Sequence, residues 1–226
     1  SVERNGNLYP DHPMNRMMAM MYINHGDMID DLVSVSSGAA MLNEFTREQF
    51  GSSHTYATHP MAQGDTNVSL MRTVKGKLIT LNFDTNTPHP RGTYRVQGSK
   101  GVFMTNRGIG SHIYIDGISP ESHQWEDAEK WLEEYQHPLV ANYNPPPRKQ
   151  AIRGHGSHGR ATPLTWHLLV KALREGKMPF FDVYDSVTSS AVSPLSETSV
   201  ANNGQSVAFP DFTKGKWETQ PPISFS

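Results

Sequence analysis

The chain has 226 residues, 36% of them apolar and 19% charged, with a net charge of −2, 18 glycines, 16 prolines and no cysteine. That length suffices for a core burying roughly 70% of the unfolded surface without staples. The missing cysteine excludes disulfides, thiolate metal sites and a cysteine nucleophile, the interspersed charge excludes a basic nucleic-acid face, and no apolar run reaches membrane-spanning length. The abrupt opening at Ser1-Val2-Glu3-Arg4 is read as the edge of a longer protein, and no secretory leader is read at the start.

Residues 5–12, Asn-Gly-Asn-Leu-Tyr-Pro-Asp-His, place a phenol at Tyr9 and an imidazole at His12 at the mouth of a predicted helix. Both side chains carry protons, and the positive end of a helix beside His12 favours a neutral ring able to act as a base. The alternative is a capped helix start with an incidental aromatic. The helix is expected from about Pro13 to Ile23, with Met14, Met17, Met18 and Met21 as its apolar stripe, Asp11 or His12 as N-cap, and His25-Gly26 as its stop. The methionines read as core.

Leu32 to Ser37 alternates as a strand does, and Met41 to Phe50 reads as a helix closed by Gly51. Residues 52–66 read as a loop. Asn67 to Val74 and Leu78 to Asp84 flank Lys75-Gly76, a tight-turn signal, with Ile79, Leu81 and Phe83 on one face. Thr93 to Gln97 and Gly101 to Met104 flank a second turn, and His112 to Asp116 is a further strand. Consecutive hairpins predict an α+β chain built on an open, largely antiparallel sheet with helices packed on one face.

Ser122 to Gln136 reads as a helix with Ala128, Trp131, Leu132 and Tyr135 on one side. Asn144-Pro145-Pro146-Pro147 is a stiff connector rather than a boundary. Thr162-Pro163 opens a helix that runs to Gly176, with Leu164, Leu168, Leu169, Ala172 and Leu173 inward. Two shorter helices are expected near 182–191 and 194–202. The tail, with Phe209, Phe212 and Trp217, is irregular but aromatic and is expected to pack.

Three groups are candidates for chemistry. Tyr9 and His12 are the catalytic candidates, with Asn7 and Asp11 beside them. His155 and His158, set among Gly154, Gly156 and Gly159, read as a substrate-facing loop, a plain flexible loop or, lacking a third protein ligand, a weak metal motif. Arg91 reaches a substrate or a neighbouring subunit, or it sits on a solvated hairpin edge. Gly108-Ile109-Gly110 lacks the third glycine and the βαβ setting of a dinucleotide fingerprint, so no cofactor-binding residue is assigned within the chain, and no metal ligand either.

Several stretches resemble the carboxy-terminal half of glycoside hydrolase family 109, the α-N-acetylgalactosaminidase-like group of the Gfo/Idh/MocA oxidoreductase superfamily. They are Asn5-Gly6-Asn7-Leu8-Tyr9-Pro10-x-His12, Ile23-Asn24-x-Gly26-Asp27, Leu32-Val33-Ser34-x-Ser36-Ser37 and Gly64-Asp65-x-Asn67. Further on come Arg72-Thr73-x-Lys75-Gly76-Lys77, Val96-Gln97-Gly98-Ser99-Lys100-Gly101, Gly154-His155-Gly156, Asp182-Val183-Tyr184-Asp185 and Pro194-Leu195-Ser196-Glu197-x-Ser199-Val200-Ala201. The likeness ends with Phe209-Pro210-Asp211-Phe212-Thr213-x-Gly215-x-Trp217.

The resemblance implies that residues 1–226 are one substrate-binding and oligomerisation domain, with an NAD-binding Rossmann domain expected upstream. It implies a glycosidase that oxidises the sugar at C3 with bound NAD, removes the C2 proton, eliminates the glycosidic group, adds water and re-reduces the ketone. Tyr9 and His12 are then catalytic, a second Tyr/His pair lies upstream, and Asn7, Asp11, His155, His158 and Arg91 bind the saccharide. A homo-oligomer forms through the open sheet face. A sugar dehydrogenase of the same superfamily, and a non-catalytic carbohydrate-binding or dimerisation module, are the alternatives. The compartment is left open between bacterial periplasm and cytoplasm. Asp11, Pro13-Met14-Asn15-Arg16 and Ser157-His158-Gly159-Arg160-Ala161 depart from the family pattern where a sugar is expected.

Overall fold

A computed structural model describes residues 1–86, 92–106, 108–142 and 161–223, the side chains of 161–163 excepted. The chain clusters into two compact units, one drawing on residues 1–88 and 181–224, the other on 89–180 with 225–226.

The first unit opens with helix α1 (Asp11–Met21), which buries Met14 and Met18 as the methionine stripe predicts. Its ends differ from expectation. Pro10 occupies the N-cap without a side-chain cap, so Asp11 and His12 both lie inside the first turn. Tyr22, not His25-Gly26, ends the helix, adopting a left-handed conformation (φ 60°) with its N–H returned to the Met18 carbonyl. The turn that follows carries Asn24 at φ 64°, a conformation asparagine tolerates better than most residues.

Strand β1 (Ile29–Ser36) starts three residues before the reading, whereas helix α2 (Met41–Phe50) and strands β2 (Thr66–Thr73) and β3 (Leu78–Asp84) follow it to within one residue. The β2–β3 hairpin turns at Gly76, whose φ of 79° is a cheap conformation only for glycine. Its register pairs Met71 with Ile79 and Ser69 with Leu81, so all four face inward.

The second unit holds an antiparallel sheet of β4 (Tyr94–Gln97), β5 (Gly101–Asn106), β6 (Gly110–Ile115) and the two-residue β7 (Glu126–Asp127), in that order. The predicted helix over 122–136 is shorter, beginning only at α3 (Glu129–Glu134), because the segment before it first adds β7 to the sheet edge. Hydrogen bonds from Ser119 and Lys130 hold the Glu126 carboxyl below the usual range at this junction. Ala128, Trp131, Leu132 and Tyr135 line an apolar hollow with Phe103 and Ile113. Helices α4 (Pro138–Asn142) and α5 (Ala161–Arg174) complete the described part.

Back in the first unit, α6 (Val183–Ala201) is one helix of 19 residues where two were expected. Pro194 lies inside it and costs a backbone hydrogen bond. The helix nonetheless continues, because Asp185, Thr188, Val192, Ser196 and Ser199 are buried on both sides of the proline and a break would uncover half of them. Its start is secured by a reciprocal cap in which Asp182 accepts from the Tyr184 and Asp185 amides and Asp185 accepts from the Asp182 amide. Strand β8 (Val207–Ala208) then joins β1, giving the order β3-β2-β1-β8.

Among the described residues the strands pair as two four-stranded antiparallel arrays, β3-β2-β1-β8 in the first unit and β4-β5-β6-β7 in the second. The core of the first unit packs Met14 and Met18 of α1 and Val192 of α6 against Leu32, Met71, Ile79 and Leu81, with Phe209 sealing it. The tail packs as expected: Phe209 meets Phe212 edge-on at 6.5 Å.

Candidate functional site

Residues 5–10 lead into α1, whose first turn holds Asp11 and His12. The Gly6 and Asn7 backbone lies flush on α6: a Cβ at Gly6 would stand 2.7 Å from Ser196 Oγ. Asn7 is 1% exposed. Its amide donates to Ser196 Oγ at 2.9 Å, its carbonyl accepts from Ser193 Oγ at 2.8 Å, and its Nδ2 reaches the Leu81 carbonyl at 3.4 Å. Gln63 donates to the Gly6 carbonyl, and Arg4 forms a two-point ion pair with Glu197, both contacts at 2.8 Å, which pushes the guanidinium pKa further up.

From this anchored base the chain emerges at Tyr9, 53% exposed. Its hydroxyl lies 3.3 Å from His12 Nε2, and the two rings stack with centroids 4.9 Å apart and planes 26° apart. The spacing explains the contact, since a helix start turns His12 back over the residue just before the N-cap. Either group serves as donor, according to the tautomer, so a proton has a direct path between phenol and imidazole. Asp11 is also exposed, and accepts from Ser190 Oγ at 3.4 Å.

The structure therefore brings Tyr9, Asp11 and His12 together at the open start of α1, with Asn7 beneath them as a buried anchor. Arg91, His155 and His158 lie outside the described residues. Among the described residues no cluster of three or more His, Asp or Glu gathers as a metal would require. Gly108 and Gly110 sit in the β5–β6 hairpin, with a strand after them rather than a helix start, so this segment does not fit a dinucleotide pyrophosphate.

Sequence reasoning overlooked a second polar constellation. Asn24 donates to Asp185 Oδ1 at 3.0 Å and to Thr188 Oγ1 at 3.1 Å. His25 Nδ1 donates to the Pro221 carbonyl at 2.7 Å, and its Nε2 lies 3.5 Å from Asp185 Oδ2. Nearby, Asp27 accepts from the Met28 and Lys75 amides and from Thr73 Oγ1, and it lies 3.2 Å from Lys77 Nζ. A third polar seam joins Ser34, Asn67 and Ser69 under the sheet, and Ser199 Oγ accepts from the Ser34 amide at 2.8 Å. Asn24, Asp27, Ser34, Asn67, Asp185 and Ser199 stand in the family-like motifs. The signal that could have found them is the recurrence of polar residues within stretches otherwise patterned as buried.

The described helices and antiparallel sheets make an α+β fold, with the phenol–imidazole pair at the start of α1, and solved structures share that fold. Levoglucosan dehydrogenase in complex with NADH and levoglucosan aligns over 81% of this chain and 45% of its own, at 15% identity and a TM-score of 0.55. An inositol dehydrogenase homolog from Azotobacter vinelandii, complexed with NADH and myo-inositol, aligns over 88% of this chain and 48% of its own, at 13% identity and a TM-score of 0.56.

The family model of the glycosyl hydrolase 109 C-terminal domain matches residues 1–219, and the chain belongs to that family. A glycosyl hydrolase family 109 protein of Solibacter usitatus is 37% identical over 98% of the chain. A Shewanella oneidensis protein named alpha-N-acetylgalactosaminidase is 37% identical over 98% of the chain as well. The chain spans about half the length of these relatives, 49% and 48% respectively.

Proposed function

We propose that this chain is the saccharide-facing half of an NAD-dependent glycoside hydrolase, with Tyr9 and His12 as its proton-handling residues. The observation that carries the reading is the 3.3 Å contact between the two at the exposed start of α1, in a chain of this family. The alpha-N-acetylgalactosaminidase name of the Shewanella relative and the NADH complexes of sugar and polyol dehydrogenases with a similar fold support it.

NAD, when bound by the full-length protein, would supply the transient oxidation of the sugar at C3. A ketone there makes the C2 proton acidic. His12, linked to Tyr9, takes that proton as a general base, while the phenol donates a hydrogen bond to a sugar oxygen or the departing group. The glycosidic group then leaves by elimination, a route that needs no carboxylate pair; water adds at C1, the proton returns to C2, and return of the hydride would restore the C3 alcohol. Asp11 faces the same opening and hydrogen-bonds a sugar hydroxyl, and Arg91, His155 and His158 are assigned to the saccharide from the sequence.

The outer face of the first sheet leaves Val35, Leu70 and Leu78 exposed. We assign this face to a second copy of the chain, as an apolar sheet face left open to water favours association.

The test is Tyr9→Phe and His12→Ala in the full-length protein. Each is expected to lower aryl-glycoside turnover about 10²–10⁴-fold and to slow exchange of the C2 proton with deuterated solvent, with the fold retained. Near-normal turnover and exchange in both variants would sink the reading. Several structural neighbours are dehydrogenases, which favours net sugar oxidation as the second reading. Accumulating nicotinamide absorbance without aglycone release would select it.

A further inference from the structure

We propose that Ser193 and Ser196 of α6 are positioning residues that set the geometry of the Tyr9–His12 pair by gripping both backbone groups of Asn7; the inference rests on the functional reading above.

The polar anchors of residues 4–11 come largely from one helix face. Ser190, Ser193, Ser196 and Glu197 recur at helical spacing and engage Asp11, the Asn7 carbonyl, the Asn7 amide and Arg4 in turn. The hydroxyl protons have unambiguous destinations at the centre of this row. Ser196 donates to the Ser193 carbonyl at 2.7 Å, which leaves an oxygen lone pair for the Asn7 N–H. Ser193 spends its proton on the Asn7 carbonyl.

Asn7 is buried, so loss of either hydroxyl strands a main-chain group that water cannot reach. Leu8 and Tyr9 extend directly from this grip, and α1 begins at Asp11. A shift of the Asn7 peptide therefore moves the phenol relative to an imidazole fixed on the helix. The stacking of the two rings at 4.9 Å depends on the register of the intervening residues. Pro194 lies between the two serines and fixes φ at that point, which stiffens the gripping segment. The absence of a side chain at Gly6 lets the backbone come close enough for both bonds.

Ser199 supplies the control. It lies on the same helix and is as buried as Ser196, but it holds the Ser34 amide of β1 rather than Asn7. In the full-length protein, Ser193→Ala and Ser196→Ala are expected to lower kcat about tenfold or more, as small misplacements of reacting groups do, with KM within about twofold. The His12 ring-proton NMR resonance should move toward its position in Tyr9→Ala, where no ring stacks on it. Ser199→Ala should lose a similar amount of thermal stability yet keep both kcat and the resonance, and Ser193→Thr, which restores a hydroxyl, should recover kcat. Unchanged kcat in both alanine variants while Tyr9→Phe is inactive overturns the proposal, as does an equal loss of kcat in Ser199→Ala. A moved resonance in the serine variants, together with full turnover in Tyr9→Phe and His12→Ala, overturns the catalytic reading and supports the grip.

Discussion

Asn24 Nδ2 donates to Asp185 Oδ1 at 3.0 Å, joining two residues 161 positions apart in the chain. The bond ties the turn after α1 to the first turn of α6, and His25 brings the Pro221 carbonyl into the same junction. Two of the family-like motifs are therefore one buried polar knot that holds the helix bearing the serine row against the helix bearing His12.

Removing the carboxylate from that knot leaves the buried Asn24 Nδ2 with Thr188 Oγ1 in place of two acceptors, and takes the acceptor from the part-buried Asp182 N–H. Asp185→Ala is expected to destabilise the fold by about 3 kcal/mol, and Asp185→Asn by about half as much, since the isosteric amide keeps one acceptor. Urea unfolding followed by circular dichroism measures both. A loss below about 1 kcal/mol for the alanine variant would show that the knot contributes little.

Asp211 organises the turn after β8. Burial alone would raise its carboxyl pKa, but hydrogen bonds from the Thr213 hydroxyl and from the Gly215 and Thr213 amides outweigh that and hold it below the ordinary value. A carboxyl lowered by folding stabilises the protein above the unfolded value, about pH 4, and the contribution is lost as pH falls through the folded value. Asp211→Asn should therefore lower the melting temperature at pH 7 and close the gap to the native protein as pH drops below 4. A gap that is constant over that range would remove the linkage.

The outer face of the first sheet makes a separate prediction. Leu70 pairs with Val33 across the β1–β2 ladder, and Val35 pairs with Val68 two rungs on, so these side chains form one patch. Leu70→Glu with Val35→Lys should shift an oligomer to monomer in sedimentation velocity while leaving the far-ultraviolet dichroism unchanged. An unaltered sedimentation coefficient from an oligomeric parent would place the contact elsewhere.

Much of the fold was legible in the residue order, for reasons that differ by element. The bounds of α2 and of β3 match the sequence reading to the residue, because Gly51 and Lys75-Gly76 punctuate strongly and the hydrophobic period is clean. The end of α1 was misread because Tyr22 adopts a left-handed cap that its residue type does not announce. The break expected at Pro194 was wrong because local propensity counts the lost hydrogen bond and not the buried face that spans it. The 122–136 helix was overdrawn because Glu126 and Asp127 are recruited to β6, a pairing with no local signature.

The candidate site divides along the same line. A three-residue spacing at a helix start is local, so Tyr9 and His12 were recognisable as a pair from the linear chain. Their support was not, because Ser193, Ser196 and Gln63 reach residues 6 and 7 across long stretches of chain, and a serine in a sequence carries no mark of which backbone it will meet.

Residue order by itself determined most of the elements and the phenol–imidazole pair, since both rest on spacing within about a dozen positions, and the family, which rests on short motifs strung from Asn5 to Trp217. Tertiary structure alone decided which polar residues are architecture and which face outward. Burial is a property of the packed whole, and it turns an ordinary serine or asparagine into an obligatory hydrogen-bond partner once water is gone.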